Sequence, residues 1–290
     1  MREVSDAPTR KERWQFTASR VGALVVAAAS YVIAFGLGIY TSIEHFGEGA
    51  STQPYSRDAD IKLWSLIVVA GLVFVIAIPF LGGSAWRPWW TWPRWTRRAP
   101  LSRSTYLACI SVYVLSVYAS VGIGWLIEVI AEPVSVVDTS TAASRPPAAE
   151  VLAALRAGFS EEVFVVAVPI AALAMWLRPT RAGLIAALCV LVPMRLAYHV
   201  YYEFGLAIGM ALWATVSAYM VWRWRDYRLV IAFALTHAAY NICEGYTVAF
   251  WGLLGVAAVC VIALVVTHRV ATGRWVTMAA PRRAPAPVRV

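Results

Sequence analysis

The chain alternates long apolar runs with short polar or charged blocks. The runs cover Val21–Ile43, Leu63–Leu81, Tyr106–Ile130, Phe159–Leu177, Ala182–Tyr202, Phe204–Trp222, Leu229–Gly245 and Tyr246–Thr267. About 20 consecutive apolar residues cross a bilayer as a helix. The pattern therefore predicts an all-α polytopic membrane protein with about eight transmembrane helices. The first run starts after basic residues and contains Ala27-Ala28-Ala29-Ser30, which imitates a signal peptide, but it continues far beyond that point and reads as a retained helix. Ala148–Ala157 reads as a short helix leading into the fourth run.

Composition agrees with the pattern. Hydrophobic residues make up 60% of the chain and charged residues 14%, against ~25% charged in soluble domains. Mean hydropathy is +0.66. No polar block is large enough to fold alone, so a single membrane domain is expected over 21–268, between a basic N-terminal segment, 1–20, and a disordered tail rich in Arg, Pro and Ala, 269–290.

The net charge of +9 does not point to a nucleic-acid partner, because the arginines lie in short blocks between apolar runs. They set topology and meet anionic lipid. Basic residues cluster at 1–20, 87–103, 178–181, 223–228 and 269–289, while 44–62, 132–150, 203–205 and 245–246 are acidic or nearly uncharged. With eight spans this alternation puts both termini in the cytoplasm of a multi-pass cell-membrane protein. Trp86 to Trp95, a stretch dense in Trp and Arg, reads as an interfacial aromatic belt on a cytoplasmic loop. Cys109, Cys189, Cys243 and Cys260 lie in apolar runs without CxxC spacing, so packing is expected rather than disulfides. Lys occurs only at Lys11 and Lys62, and the Arg and Ala bias hints at a bacterial source.

Candidate chemistry begins at Ala157-Gly158-Phe159-Ser160-Glu161-Glu162, where two adjacent carboxylates open an apolar run. A charge at the bilayer centre costs ~3 kcal/mol on insertion scales, so intramembrane carboxylates point to function. His199 and His237 follow in separate runs. On the eight-span topology Glu161 and Glu162 sit at the outer end of span four, His199 ~5 Å into span five, and Asn241 and His237 ~6 and ~12 Å into span seven. Three helices thus bring polar groups to a similar level in the outer part of the membrane. His237 and Asn241 are four apart, as are Arg195 and His199, so each pair shares a helix face. Adjacent residues lie ~100° apart around a helix, so only one of Glu161 and Glu162 is expected to face the site, the other pairing with Arg195 or backbone. Glu244 lies on the His237 face and extends the site or caps the helix; His45 and His268 sit at loop edges. A haem-binding reading of His199 and His237 leaves the carboxylates and Asn241 without a role.

At these positions the sequence resembles the CAAX-protease and bacteriocin-processing family of intramembrane proteases, also called CPBP or Abi. That family carries a Glu-Glu motif, then a helix ending in His, then His-x-x-x-Asn/Asp. Here they read Glu161-Glu162, Arg195-Leu-Ala-Tyr198-His199 and His237-Ala-Ala-Tyr-Asn241, within 158–242. The chain departs from the pattern at Val166, where the family commonly has Arg, and at Arg195, where it commonly has Phe; Arg195 is a candidate to supply the missing positive charge.

The resemblance implies a site between helices four, five and seven, and an endopeptidase of metallo- or glutamate type acting on a membrane-associated peptide. A Glu would activate water with help from His199, while His237 and Asn241 would stabilise the oxyanion or help hold a metal. The catalytic set would be Glu161, Glu162, His199, His237 and Asn241, supported by Arg195. If a divalent metal such as Zn is bound, Glu161, His199 and His237 are its ligands, although no His-Glu-x-x-His is present. The outward placement favours an exported or membrane-bound substrate over a prenylated cytosolic one. The Val166 departure keeps open a catalytically silent scaffold or a bacteriocin self-immunity protein.

Overall fold

The computed structural model describes residues 10–44, 46, 56–80, 101–131, 146–177, 180–200, 204–224, 226–244 and 246–272. The Trp-rich stretch at 86–95, Tyr202, Glu203, His45 and the C-terminal tail from residue 273 lie outside them. The described residues form helices joined by turns, with no strand among them. In order they are α1 (Arg10–Glu44), α2 (Arg57–Phe80), α3 (Arg103–Ala131), α4 (Pro147–Ser160), a π-helical segment (Glu161–Ala167), α5 (Val168–Leu173), α6 (Arg181–Ala197), α7 (Phe204–Trp224), α8 (Tyr227–Glu244) and α9 (Thr247–Thr272).

Helix starts follow local chemistry. Thr180 caps α6 by accepting the Gly183 N–H at 3.1 Å, and Ser102 caps α3 by accepting the Thr105 N–H at 3.1 Å. Pro147 opens α4, where its missing N–H costs nothing. Before α8, Asp226 accepts from the Arg228 backbone and guanidinium and from the Tyr106 hydroxyl, which ties the start of α8 to α3.

Among the described residues, five helical stretches are long and apolar enough to cross a membrane: Arg20–Glu44, Arg57–Ile76, Arg103–Ile127, Gly205–Trp224 and Thr247–Val270. The chain therefore has the character of a membrane protein. The other three predicted spans differ from these, and they are the ones that carry the candidate site. The fourth is divided by the π segment, α6 has 17 residues, and α8 has 18 with His237, Asn241 and Glu244 among them.

The interior is built from α3, α7, α8, the π segment and the inner face of α1. α3 packs most extensively on α7, at a distance that only small residues allow. A Cβ at Gly209 would lie 2.0 Å from the Ser120 carbonyl oxygen, and one at Gly124 would lie 2.9 Å from Leu206 Cα. α4 approaches α8 as closely, because a Cβ at Gly158 would lie 2.2 Å from the Ala234 carbonyl oxygen. α2 and α9 are peripheral, with residues such as Leu72, Val75, Val256 and Ile262 exposed on their outer faces.

Several expected boundaries move: α1 begins at Arg10, inside the basic segment, and α9 runs to Thr272, into the expected tail. The helix does not begin at the carboxylate pair, since α4, the π segment and α5 run on without a break and place Glu161 in their interior. The Ala-rich stretch before it has no residue that would stop a helix. In addition, α6 ends at Ala197 rather than at Tyr202, and residues 198–200 form a turn.

Candidate functional site

The π segment aims the carboxylates. Pro169 has no N–H to give the Val165 carbonyl, and its ring would crowd that carbonyl in a regular α-helix. The wider turn accommodates this, and the Val168 N–H bonds back five residues to the Val163 carbonyl. Glu161 and Glu162 then converge on one group. Arg195 Nη2 donates to Glu161 Oε2 at 3.0 Å, and Arg195 Nη1 donates to Glu162 Oε1 at 3.0 Å. The expectation that only one carboxylate faces the site is corrected: the wide turn and the forked guanidinium let both do so.

Arg195 reaches this position from the last turn of α6, and His199 from the turn just beyond it. His199 Nε2 lies 3.8 Å from Glu161 Oε2. From α8, His237 Nδ1 lies 3.7 Å from Glu162 Oε1. The structure thus brings together Glu161, Glu162, Arg195, His199 and His237. Asn241 is half-buried one turn beyond His237, and no hydrogen bond among the described residues joins it to this cluster. Glu244 is exposed at the end of α8, and His268 is exposed on α9. Val166 is buried in the apolar core.

Aromatic side chains close the cluster. The Tyr113 hydroxyl, from α3, donates to Glu162 Oε1 at 2.8 Å, while its ring stacks on Phe233 at 4.4 Å. Trp213, from α7, lies under Arg195 with 4.0 Å from the guanidinium carbon to the ring centre. The same indole meets the His237 ring edge-on at 4.7 Å. Tyr113 and Trp213 carried no assignment from the sequence. A signal did exist for Trp213: tryptophans favour the membrane interface, whereas this one lies near the middle of an apolar run. Tyr113 had no comparable marker.

The two carboxylates differ in access. Side-chain exposure is 9% for Glu161 and 11% for His199, against 0% for Glu162, 0% for Arg195 and 4% for His237. The Glu161–His199 pair is the reachable edge of a cluster whose other side is sealed. Burying unpaired charge is costly, and pairing both carboxylates with one guanidinium offsets much of that cost.

No family model, curated protein or solved structure matches the chain.

The donor set does not fit a divalent cation. Arg195 places a fixed positive charge on one oxygen of each carboxylate, and each imidazole faces a different carboxylate. Among the described residues, no group of three His, Cys, Asp or Glu is arranged to hold a metal ion. The arrangement suits general-base chemistry, because a held carboxylate stands beside an imidazole at the less buried edge of the cluster.

Proposed function

We propose that the protein is an intramembrane endopeptidase in which Glu161 activates a water molecule against a peptide bond of a membrane-embedded or membrane-associated substrate. One observation carries this reading: Glu161 and His199 form the least buried pair in a cross-braced cluster of charged and imidazole groups among the described residues. Oε2 of Glu161 is engaged by Arg195 and faces His199, which leaves Oε1 to accept a proton from water. As that proton leaves, the water oxygen bonds to the substrate carbonyl carbon and the carbonyl electron pair moves onto its oxygen. When the tetrahedral species collapses, the C–N bond breaks and the proton held by Glu161 passes to the departing nitrogen. His199 orients the water. Glu162, fixed by Tyr113 and Arg195, sets the position of the guanidinium. This chemistry matches the resemblance in the ordered Glu-Glu, His and His-x-x-x-Asn motifs.

The topology that goes with this proposal has eight spans, with α4 through α5, α6 and α8 completing the five apolar helices and both termini in the cytoplasm. Counted from the arginine-marked ends of α5 and α8, Glu161 and His237 lie ~18 and ~15 Å along the helix axes at 1.5 Å per residue. In a core ~30 Å thick that is near the midplane, deeper than the outer mouth expected from the runs alone. A peptide already in the bilayer is the substrate class that reaches such a depth.

The test is to compare membrane peptides from cells expressing the wild-type protein and the Glu161→Gln variant. Uncut substrate should accumulate only with the variant. Identical peptide profiles would favour the scaffold or self-immunity reading instead.

A further inference from the structure

Three tyrosine hydroxyls approach the cluster, and two of them are committed. Tyr31 donates to the Met194 carbonyl at 2.6 Å, and Tyr113 donates to Glu162 at 2.8 Å. The third, Tyr198, is only 7% exposed. Its hydroxyl is directed at the Glu161 carboxylate without forming a well-made hydrogen bond with the described residues. Buried hydroxyls are almost always bonded, so an exception calls for a reason.

Loose packing does not explain it. The Tyr198 ring stacks on Phe35 at 4.4 Å with the planes 27° apart and lies against the His199 ring at 4.3 Å. Phe35 in turn rests on Tyr31, 5.6 Å away. The ring is held on both sides while its polar end faces Glu161 without a well-formed hydrogen bond.

The place of that polar end is specific. Tyr198 and His199 leave α6 together at the turn that ends it, and both approach Glu161, the accessible carboxylate. A carbonyl attacked by water held between Glu161 and His199 must set its developing negative oxygen near a donor. Asn241 has no bond to the cluster among the described residues. The indole N–H of Trp213 and Nε of Arg195 are also buried without a hydrogen bond, but Arg195 is wholly sealed and Trp213 lies against it and His237.

We infer that the Tyr198 hydroxyl is the hydrogen-bond donor to the oxyanion formed at the Glu161–His199 edge, an assignment that rests on the hydrolytic reading above. The phenol keeps its proton throughout. It donates a hydrogen bond as the carbonyl electron pair moves onto oxygen, and that bond weakens when the carbonyl re-forms and the C–N bond breaks. A donor pre-positioned for the oxyanion, not for the resting state, is the arrangement that accelerates acyl transfer.

The test uses the full chain in proteoliposomes with a fluorogenic transmembrane peptide. Tyr198→Phe keeps the ring and its stacking and removes only the hydroxyl. It should lower kcat by ~10²–10³-fold, the usual loss for one oxyanion donor, with KM and melting temperature little changed. Gly255→Ala, where nothing lies within 4 Å of an added Cβ, should retain the wild-type kcat. A Tyr198→Phe protein at full kcat, or one whose loss falls wholly in KM, overturns the inference while leaving the hydrolase reading intact. A wild-type protein that cleaves no peptide overturns both.

Discussion

Gly158→Ala is the smallest change that should disturb the cluster without touching it. The added Cβ would lie 2.2 Å from the Ala234 carbonyl oxygen and 3.0 Å from the Ala238 nitrogen. Ordinary contact starts at 3.4 Å, so α4 and α8 must separate by about 1.2 Å at this point, the difference between 3.4 and 2.2 Å. The contact is backbone, which cannot rotate away. Gly158 is four residues before Glu162, and Ala234 is three before His237, so the shift is passed along one line of contact to the 3.7 Å Glu162–His237 approach. Overpacking of this kind costs ~1–3 kcal/mol, and a displacement of about 1 Å at a catalytic group can cost ~10²-fold in rate. Gly71→Ala and Gly255→Ala are the controls, because nothing lies within 4 Å of a Cβ at either position. Relief of glycine's backbone entropy in a helix should leave them neutral or stabilised by ~0.5–1 kcal/mol. Thermal unfolding of the three purified variants in one detergent provides the comparison. A Gly158→Ala protein that melts with the two controls would refute the close α4–α8 packing.

Other predictions concern charge. Arg195→Leu removes the partner of both carboxylates and should destabilise by ~3–5 kcal/mol, as breaking a buried ion pair does; adding Glu161→Gln and Glu162→Gln should recover much of this, whereas additive effects would mean that the three groups are uncoupled. Asp226 lies outside the spans. Burial raises its carboxyl, but hydrogen bonds from Arg228 and Tyr106 outweigh this and hold it below the ordinary 3.8. Its contribution to stability is therefore present above about pH 4 and lost as the pH falls through the lowered folded value. Asp226→Asn should melt below wild type near neutral pH, and the gap should close under acid conditions; a gap independent of pH would contradict this. Because the donor set does not suit a divalent cation, strong chelators should leave peptide cleavage unchanged, and recovery of activity by added zinc after chelation would reverse that conclusion.

How much of this was legible in the chain varies by feature. The helical class and the five strongest spans follow from runs such as Tyr106–Ile130, whose apolar length leaves little alternative in a bilayer. The other three predicted runs do not stand out in this way, and they carry the polar groups of the cluster, as α8 does with His237. The ordered motifs pointed to Glu161, Glu162, His199 and His237, which the fold brings together, and to Asn241, one turn beyond His237 on the same helix. The π turn was hidden, although Pro169, eight residues after Glu161, was its local cue. The roles of Tyr113, Trp213 and Tyr198 depend on contacts between helices far apart in sequence. Tyr113 to Glu162 spans 49 residues, and no periodicity in one run encodes such a pairing.

The most direct measurement is hydrolysis of a membrane peptide by the purified, reconstituted protein in ¹⁸O-labelled water, analysed by mass spectrometry. Wild type should yield two fragments with one labelled oxygen in the new carboxyl group, and Glu161→Gln should yield neither at a detectable rate. Equal cleavage by Glu161→Gln, or no cleavage by wild type, would contradict the assignment of Glu161 as the group that activates water.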